Sequence, residues 1–473
     1  MRAVRGYEEK DPEITRHMTS GYPRFVIHPF LQQLSSYLLQ REQLPGHTLW
    51  LVSSARVADR LAAHLGAAHV IRLNDDAVHA VAHAESPELF SRAKTFLQNI
   101  GGFLSSRAAE DRLVHHGLLP AAAPETLFPG DAAAEVARHL APAFPTVPAD
   151  HLLLTSCGMS AIEVAFRTVS DLQAARGRTL WIQLGWLYLD TIALLKKFTA
   201  TPDDYVYVSD VFDLAALEKL FAEKGDRIAG IFAEIPTNPL VQTPDVPAIS
   251  ALARRHGAAL ILDPSITCVF NLDVLPHADV VVSSLTKYTA SEGDLTAGLV
   301  VVNPAAPDAA TLRATIASRR DPLYSRDLAR LAAQIGQTSA VLAQIHASVP
   351  RVVEFLSSHP NIASVHWALH PASRKNYLRL ARSPDAVGSM ITFTVRGSLE
   401  RFYDRLNLPK GPSFGMKNTL ICPFMFLAHY DLVTTDAGRA ELAASNLDPN
   451  LLRLSIGTEP VEEIIASLAA ALD

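Results

Sequence analysis

Cysteine is scarce. Three residues in 473, Cys157, Cys268 and Cys422, are too few and too scattered for a disulfide framework or a zinc site, so no metal is expected. So little cysteine suits a reducing compartment, and a cytoplasmic location is expected. Runs of lysine or arginine are missing as well, and the formal net charge is -6. That argues against nucleic acid or an anionic membrane as the main partner. No apolar stretch approaches the length of a bilayer span. The opening Met1-Arg2-Ala3-Val4-Arg5-Gly6-Tyr7-Glu8-Glu9-Lys10 has no apolar core for a signal peptide. Charged residues make up only 19% against 49% hydrophobic, a balance that excludes a disordered chain. At this length two or three structural units are expected.

What is present is alternation. From 151 to 303, short apolar runs alternate with stretches of helical spacing. Strands are predicted at 152–155, 179–183, 205–208, 228–234, 259–263, 280–283 and 297–302. The pattern predicts an α/β fold with a mostly parallel central sheet covered on both faces. After Pro304 the chain turns helical, with runs at 309–319 and 326–350. A smaller α+β unit follows, with strands at 362–367, 389–395 and 451–455 and a last helix at 461–472. Residues 1–100 carry mixed signals. A helix is predicted at 28–39, strands at 48–52 and 69–73, and a helix between those strands capped by Ser53 or Ser54. Ser86 and Pro87 open a further helix that Gly101-Gly102 stops. No glycine-rich turn follows Val52, so a packing extension is preferred to a nucleotide site, with a regulatory unit as the other possibility. The expected organisation is an extension at 1–110, a large α/β domain at 111–335 and a C-terminal α+β domain at 336–473.

The stretch Asp279-Val280-Val281-Val282-Ser283-Ser284-Leu285-Thr286-Lys287-Tyr288 stands out. A buried strand ends in hydroxyls and one lysine, at the edge where open α/β sheets bind ligands. A desolvated lysine there can attack a carbonyl, and Ser284 and Thr286, two residues apart, can donate to a phosphate. The stretch reads either as a pyridoxal phosphate anchor or as a strand running into a solvated loop lysine. Other signals are open in the same way. Gly158, in Ser156-Cys157-Gly158-Met159-Ser160, permits phosphate at a helix start or is an ordinary turn. Cys157 reads as a plain buried thiol, with no histidine placed near it. Trp186 and Tyr188 could stack on a flat cofactor or fill a core. Asn238, in Glu234-Ile235-Pro236-Thr237-Asn238-Pro239, could donate into a crevice or serve a turn. Asp263 could pair with a pyridine nitrogen or cap a helical turn. Arg107 is a phosphate ligand or a surface arginine. Arg453, a charge inside an apolar strand, pairs with a substrate carboxylate or an internal acid.

The order of these signals is more specific than any one of them. Glycine turn, aromatic, asparagine, aspartate, lysine and distal arginine together resemble the cystathionine γ-synthase family of Cys/Met-metabolism enzymes, particularly its fungal-type branch. The likeness runs from about Phe103 to Ala471, with an echo at Gly21-Tyr22-Pro23-Arg24-Phe25. It also includes Tyr188-Leu189-Asp190-Thr191, Pro412-Ser413-Phe414-Gly415, Cys422-Pro423-Phe424, Leu427-Ala428-His429-Tyr430 and 453–459.

The resemblance implies a fold-type I enzyme with pyridoxal phosphate bound in the large domain, acting on small amino-acid substrates. It implies a homodimer or homotetramer whose sites are shared between subunits, with the N-terminal extension touching the neighbour. Lys287 would be the Schiff-base lysine, Tyr188 would stack on the ring and Asp263 would pair with the pyridine nitrogen. Cys157, Gly158, Met159, Ser284 and Thr286 would surround the phosphate. Asn238 would touch the ring hydroxyl or the substrate carboxylate, and Arg453, helped by Thr419, would bind that carboxylate. The family's Tyr-x-Arg pair, which reaches into a neighbouring site, is here Ser105-Ser106-Arg107, so only Arg107 survives. Leu189-Asp190 replaces two glycines, and Ser291-Glu292-Gly293-Asp294 replaces Gly-His-Ser-Asp. The implied reaction is γ-replacement on an O-acyl- or O-phosphohomoserine by a thiol such as cysteine, giving cystathionine or a related amino acid. A C–S lyase, or γ-substitution by another nucleophile, is the alternative. Intact Lys287, Asp263 and Arg453 argue against a non-catalytic binding protein.

Overall fold

The computed structural model describes residues 1–18, 27–75 and 78–473, and its strands form three sheets. The Gly21–Phe25 echo lies outside the described residues. Near the N-terminus, β1 (His47–Val52), β2 (Val70–Asp75) and β3 (Val78–Ala84) form an antiparallel sheet in the order β1-β3-β2. Sequence patterning predicts two of these strands. It misses β3, whose Val-His-Ala-Val-Ala-His-Ala has little β-branched content. Its His83 is fully buried and accepts the indole N–H of Trp50 at 3.0 Å. The helix Ala55–Leu65 is capped by Ser54, and the helix Pro87–Ile100 by Ser86.

The central sheet contains β4 (Leu153–Thr155), β5 (Leu180–Leu184), β6 (Tyr205–Val208), β7 (Ile228–Glu234), β8 (Ala259–Asp263), β9 (Val280–Ser284) and β10 (Gly298–Val302). Their order is β4-β10-β9-β8-β7-β5-β6, parallel from β9 through β6, with β10 antiparallel to both its neighbours. Strands with no polar face must be covered on both sides. Successive side chains therefore go to opposite layers. Phe232, Ile261 and Val282 pack with Phe166 of the helix Gly158–Ala174. Ile231, Leu260, Leu262 and Val281 pack with Leu217, Phe221 and Ile249 on the other side. By the same alternation the last residues of β7, β8 and β9, namely Glu234, Asp263 and Ser284, share the face of the Gly158–Ala174 helix.

The run predicted as one helix at 326–350 is two, Ser325–Ile335 and Thr338–Ser358, with Pro350 inside the second. The third sheet is antiparallel, made of β11 (Ile362–Trp367), β12 (Met390–Val395), β13 (Leu420–Pro423) and β14 (Leu452–Ser455) in the order β11-β12-β14-β13. Its register places Arg453 between Thr392 and Cys422. Among the described residues no helix is long and apolar enough to cross a membrane.

Candidate active site

Three neighbouring parallel strands deliver their ends to one edge. Glu234 is directly opposite Asp263, and the turn after β9 carries Lys287. Lys287 Nζ donates to Ser413 Oγ at 2.8 Å and lies 4.9 Å from the centre of the Phe414 ring. Burial, reinforced by the positive Arg453, lowers its pKa to about 7. A substantial fraction is then neutral near neutral pH, the form that attacks a carbonyl.

Asp263 is buried, and its Oδ1 accepts from the backbone N–H of Ser265 at 2.9 Å and from the Ser265 hydroxyl. Burial still pushes its pKa up to about 6. Glu234 is raised well above the ordinary range by burial and by the Asp263 charge beside it. Glu234 also accepts the backbone N–H of Tyr188, which opens the helix Leu189–Phe198. Asp263 makes no ion pair among the described residues. A protonated pyridine nitrogen is the cation such a carboxyl lacks.

The helix Gly158–Ala174 begins at Cys157 with no side-chain cap hydrogen bond, leaving its first backbone N–H groups beside only the Cys157 thiol. A Cβ on Gly158 would lie 2.9 Å from Cβ of Ser284, so only glycine allows this helix start against the β9 turn. Helix N–H groups, Met159 and the Ser284 hydroxyl at this junction suit a phosphate. Cys157 is a desolvated thiol with its pKa raised by burial, 3.5 Å from the carbonyl of Gly101. Thr286 faces inward: its Oγ1 accepts from the backbone N–H of Ala297 at 3.0 Å and braces the turn.

Arg453 is buried and donates from Nη1 to Asn238 Oδ1 at 3.1 Å and from Nη2 to the carbonyl of Pro412. Its guanidinium lies 4.5 Å from the Phe424 ring and 5.5 Å from the Phe414 ring, the ring that also faces Lys287. It makes no direct ion pair among the described residues, although the buried Glu234 carboxyl acts on it through space. A buried guanidinium with no carboxylate in direct contact is a site for one.

Three expected residues have other partners in this chain: Thr286, which bonds Ala297 rather than facing a phosphate, Arg107 and Thr419. Arg107 donates to Glu125, to Asp327 and to both the carboxylate and the carbonyl of Asp294, partners within this chain that would compete with a phosphate. Thr419 gives its hydroxyl and backbone N–H to Glu459, at 2.7 Å each, and accepts from Gly457, which leaves no donor for a substrate. Three residues that sequence reasoning missed join the site: Glu234, Ser265 and Ser413. Glu234 had a signal, since it ends β7 as Asp263 ends β8. Ser413 lies in the Pro412-Ser413-Phe414-Gly415 stretch but was given no role, and Ser265, which also accepts from the backbone of Ser284, had no signal. A separate cavity of about 780 Å³, lined by Gln173, Asp279 and Asn303, contains none of these groups.

A lysine of lowered pKa, an unpaired buried carboxyl, an open helix N-terminus and an unpaired arginine at one edge of a mostly parallel sheet fit pyridoxal phosphate. They define a fold-type I enzyme of that cofactor. The family model for Cys/Met metabolism PLP-dependent enzymes matches residues 147–473. The chain belongs to that family, and pyridoxal phosphate is its cofactor. It is 38% identical to L-2-amino-4-chloropent-4-enoate dechlorinase/desaturase of Streptantibioticus cattleyicolor, over 100% of this chain and 94% of that one. It is 29% identical to cystathionine gamma-synthase of Neurospora crassa, over 68% of this chain and 52% of that protein. The cystathionine gamma synthase of Xanthomonas oryzae pv. oryzae, solved in complex with cystathionine, shares the fold, with a TM-score of 0.62, 22% identity and coverage of 72% of this chain and 86% of that one.

Proposed function

We propose that this enzyme removes a leaving group from Cγ of an α-amino acid by elimination, with a γ-chloro, γ,δ-unsaturated amino acid as the first candidate substrate. The observation that carries this is the similarity to the dechlorinase/desaturase along the entire chain, including residues 1–146, which lie ahead of the family-model match. Arg453 would hold the substrate α-carboxylate through paired N–H donors, with Asn238 orienting the guanidinium. Bound pyridoxal phosphate would supply an electron sink that acidifies the substrate's Cα–H and Cβ–H bonds. Asp263, ionised once a positive pyridine nitrogen is beside it, would keep the proton on that nitrogen. Lys287 Nζ, titrating near neutrality, would accept the Cα proton and then move protons along the Cα–Cβ–Cγ segment. The C–Cl bond would break with its electron pair leaving on chloride, one proton would be lost, and one further unsaturation would remain.

The second reading is γ-replacement of an O-acyl or O-phosphoryl group by cysteine, supported by the cystathionine gamma-synthase relatives. One experiment separates the two. Holoenzyme is given L-2-amino-4-chloropent-4-enoate, or O-succinyl-, O-acetyl- or O-phosphohomoserine with and without cysteine. Chloride release, with a product lighter by HCl, is expected. Cystathionine from a homoserine ester and no chloride release would overturn the elimination reading.

A further inference from the structure

Asp190, two places after Tyr188, is 5% exposed. A buried carboxylate in the first turn of the helix that Tyr188 opens needs a partner. One partner comes from residues ahead of the family-model match. Asn99, in the last turn of the helix Pro87–Ile100, is 2% exposed and donates from Nδ2 to Asp190 Oδ1 at 3.1 Å. The other end of the same amide, Oδ1, accepts from Lys197 Nζ at 3.0 Å. Asp190 and Lys197 are seven residues apart, on one face of the helix Leu189–Phe198. One amide therefore grips both ends of that helix.

Two residues on, the chain meets the other wall of the cofactor pocket. Gly101 ends its helix in the left-handed region, at φ +67°. A Cβ there would lie 2.5 Å from Cys157 Sγ and 2.5 Å from the backbone nitrogen of Ser160. The two walls also touch each other, since the Thr191 hydroxyl lies 3.9 Å from the Met159 sulfur. Residues 99–101 thus press on the turn suited to phosphate and tether the helix that carries Tyr188. The far side of Tyr188 is anchored by its backbone N–H on Glu234.

We propose that Asn99 is a positioning residue of the cofactor pocket: by holding Asp190 and Lys197 it sets the Tyr188 wall against the cofactor ring. This rests on the reading that Tyr188 stacks on that ring. Asn99 touches no reacting atom and acts through the helix it grips.

The test exchanges donor and acceptor. Asn99→Asp removes the donor and faces Asp190 with a like charge. The double variant Asn99→Asp/Asp190→Asn restores a bond of opposite direction and keeps an acceptor for Lys197. The readouts on holoenzyme are the rate of pyridoxal phosphate release on dilution and the visible circular dichroism of the bound cofactor, with far-ultraviolet dichroism as the check on folding. Asn99→Asp is expected to release cofactor about tenfold faster, the equivalent of one charge-assisted hydrogen bond, with reduced visible dichroism. The double variant is expected to return within about twofold of wild type. A folded Asn99→Asp protein with wild-type release and dichroism overturns the proposal. If Asn99→Asp does not fold, the double variant decides: wild-type retention supports the proposal, and rapid release from a folded protein overturns it. Failure of the wild type itself to take up pyridoxal phosphate would instead overturn the cofactor reading beneath it.

Discussion

Glu234 and Asp263 stand opposite each other at the ends of adjacent parallel strands, two buried carboxyls of raised pKa at the same edge. Burial disfavours charge on both, and each makes the other harder to ionise. The pair is costly until a cation arrives, which ties apoprotein stability to pH and to the cofactor.

For Asp263 the folded pKa of about 6 lies above the ordinary carboxylate value, so the folded state holds its proton more tightly. The penalty is fully present above pH 6 and fades as pH falls below it. Cofactor-free wild type is therefore expected to gain thermal stability, relative to Asp263→Asn, between pH 7.5 and pH 5.5. Melting curves of both proteins at the two pH values check this. Identical pH slopes would remove the assignment, and bound pyridoxal phosphate should flatten the difference.

Lys287 is held near pKa 7 by burial first and by the Arg453 charge second. In the apoprotein, amine-directed acylation of Lys287 should reach half its maximal rate near pH 7. In Arg453→Met the midpoint should move up, because the repelling charge is gone. Mass spectrometry of the labelled peptide across a pH series reads this, and an unmoved midpoint would contradict the coupling.

Removing the lysine should disable proton transfer without emptying the pocket. Lys287→Ala is expected to lose roughly 10²–10⁴ or more of kcat, the usual worth of a positioned acid–base group. It should still bind pyridoxal phosphate, while borohydride no longer fixes the cofactor to the chain. A borohydride adduct elsewhere would move the anchor.

Arg453 makes no direct ion pair among the described residues and has N–H donors left for a carboxylate beside those given to Asn238 and Pro412. Arg453→Lys keeps the charge and loses the second donor direction, so KM should rise about 10- to 100-fold with a smaller change in kcat. Steady-state kinetics on whichever substrate is turned over measures the split. An unchanged KM would place the carboxylate elsewhere.

Gly158 has no room for a Cβ beside Ser284. Gly158→Ala should push the helix start from the β9 turn and weaken pyridoxal phosphate binding by about tenfold or more, while affinity for pyridoxal, which lacks the phosphate, changes little. Absorbance titrations with both ligands separate the phosphate site from the ring site.

The sequence by itself determined the central fold and nominated most of the candidate site residues. Apolar strands covered on both faces have a signature that survives in one dimension, so β5 through β10 were legible within a residue or so. Lys287, Asp263, Gly158 and Arg453 were legible because each sits at a strand end, a helix start or inside an apolar strand, where its residue type conflicts with its surroundings. Strand β3 was not, because alanine and histidine carry no strand signal and its burial comes from neighbours. Tertiary structure alone decided the partners. Arg107 pairs with Glu125, Asp294 and Asp327, and Thr419 with Glu459. Glu234 joined Asp263, and Asp190 was answered by Asn99. Charge and hydrogen-bond pairing act through space over a few ångströms between residues from 18 to more than 200 positions apart, and no local pattern in the chain encodes which of them meet.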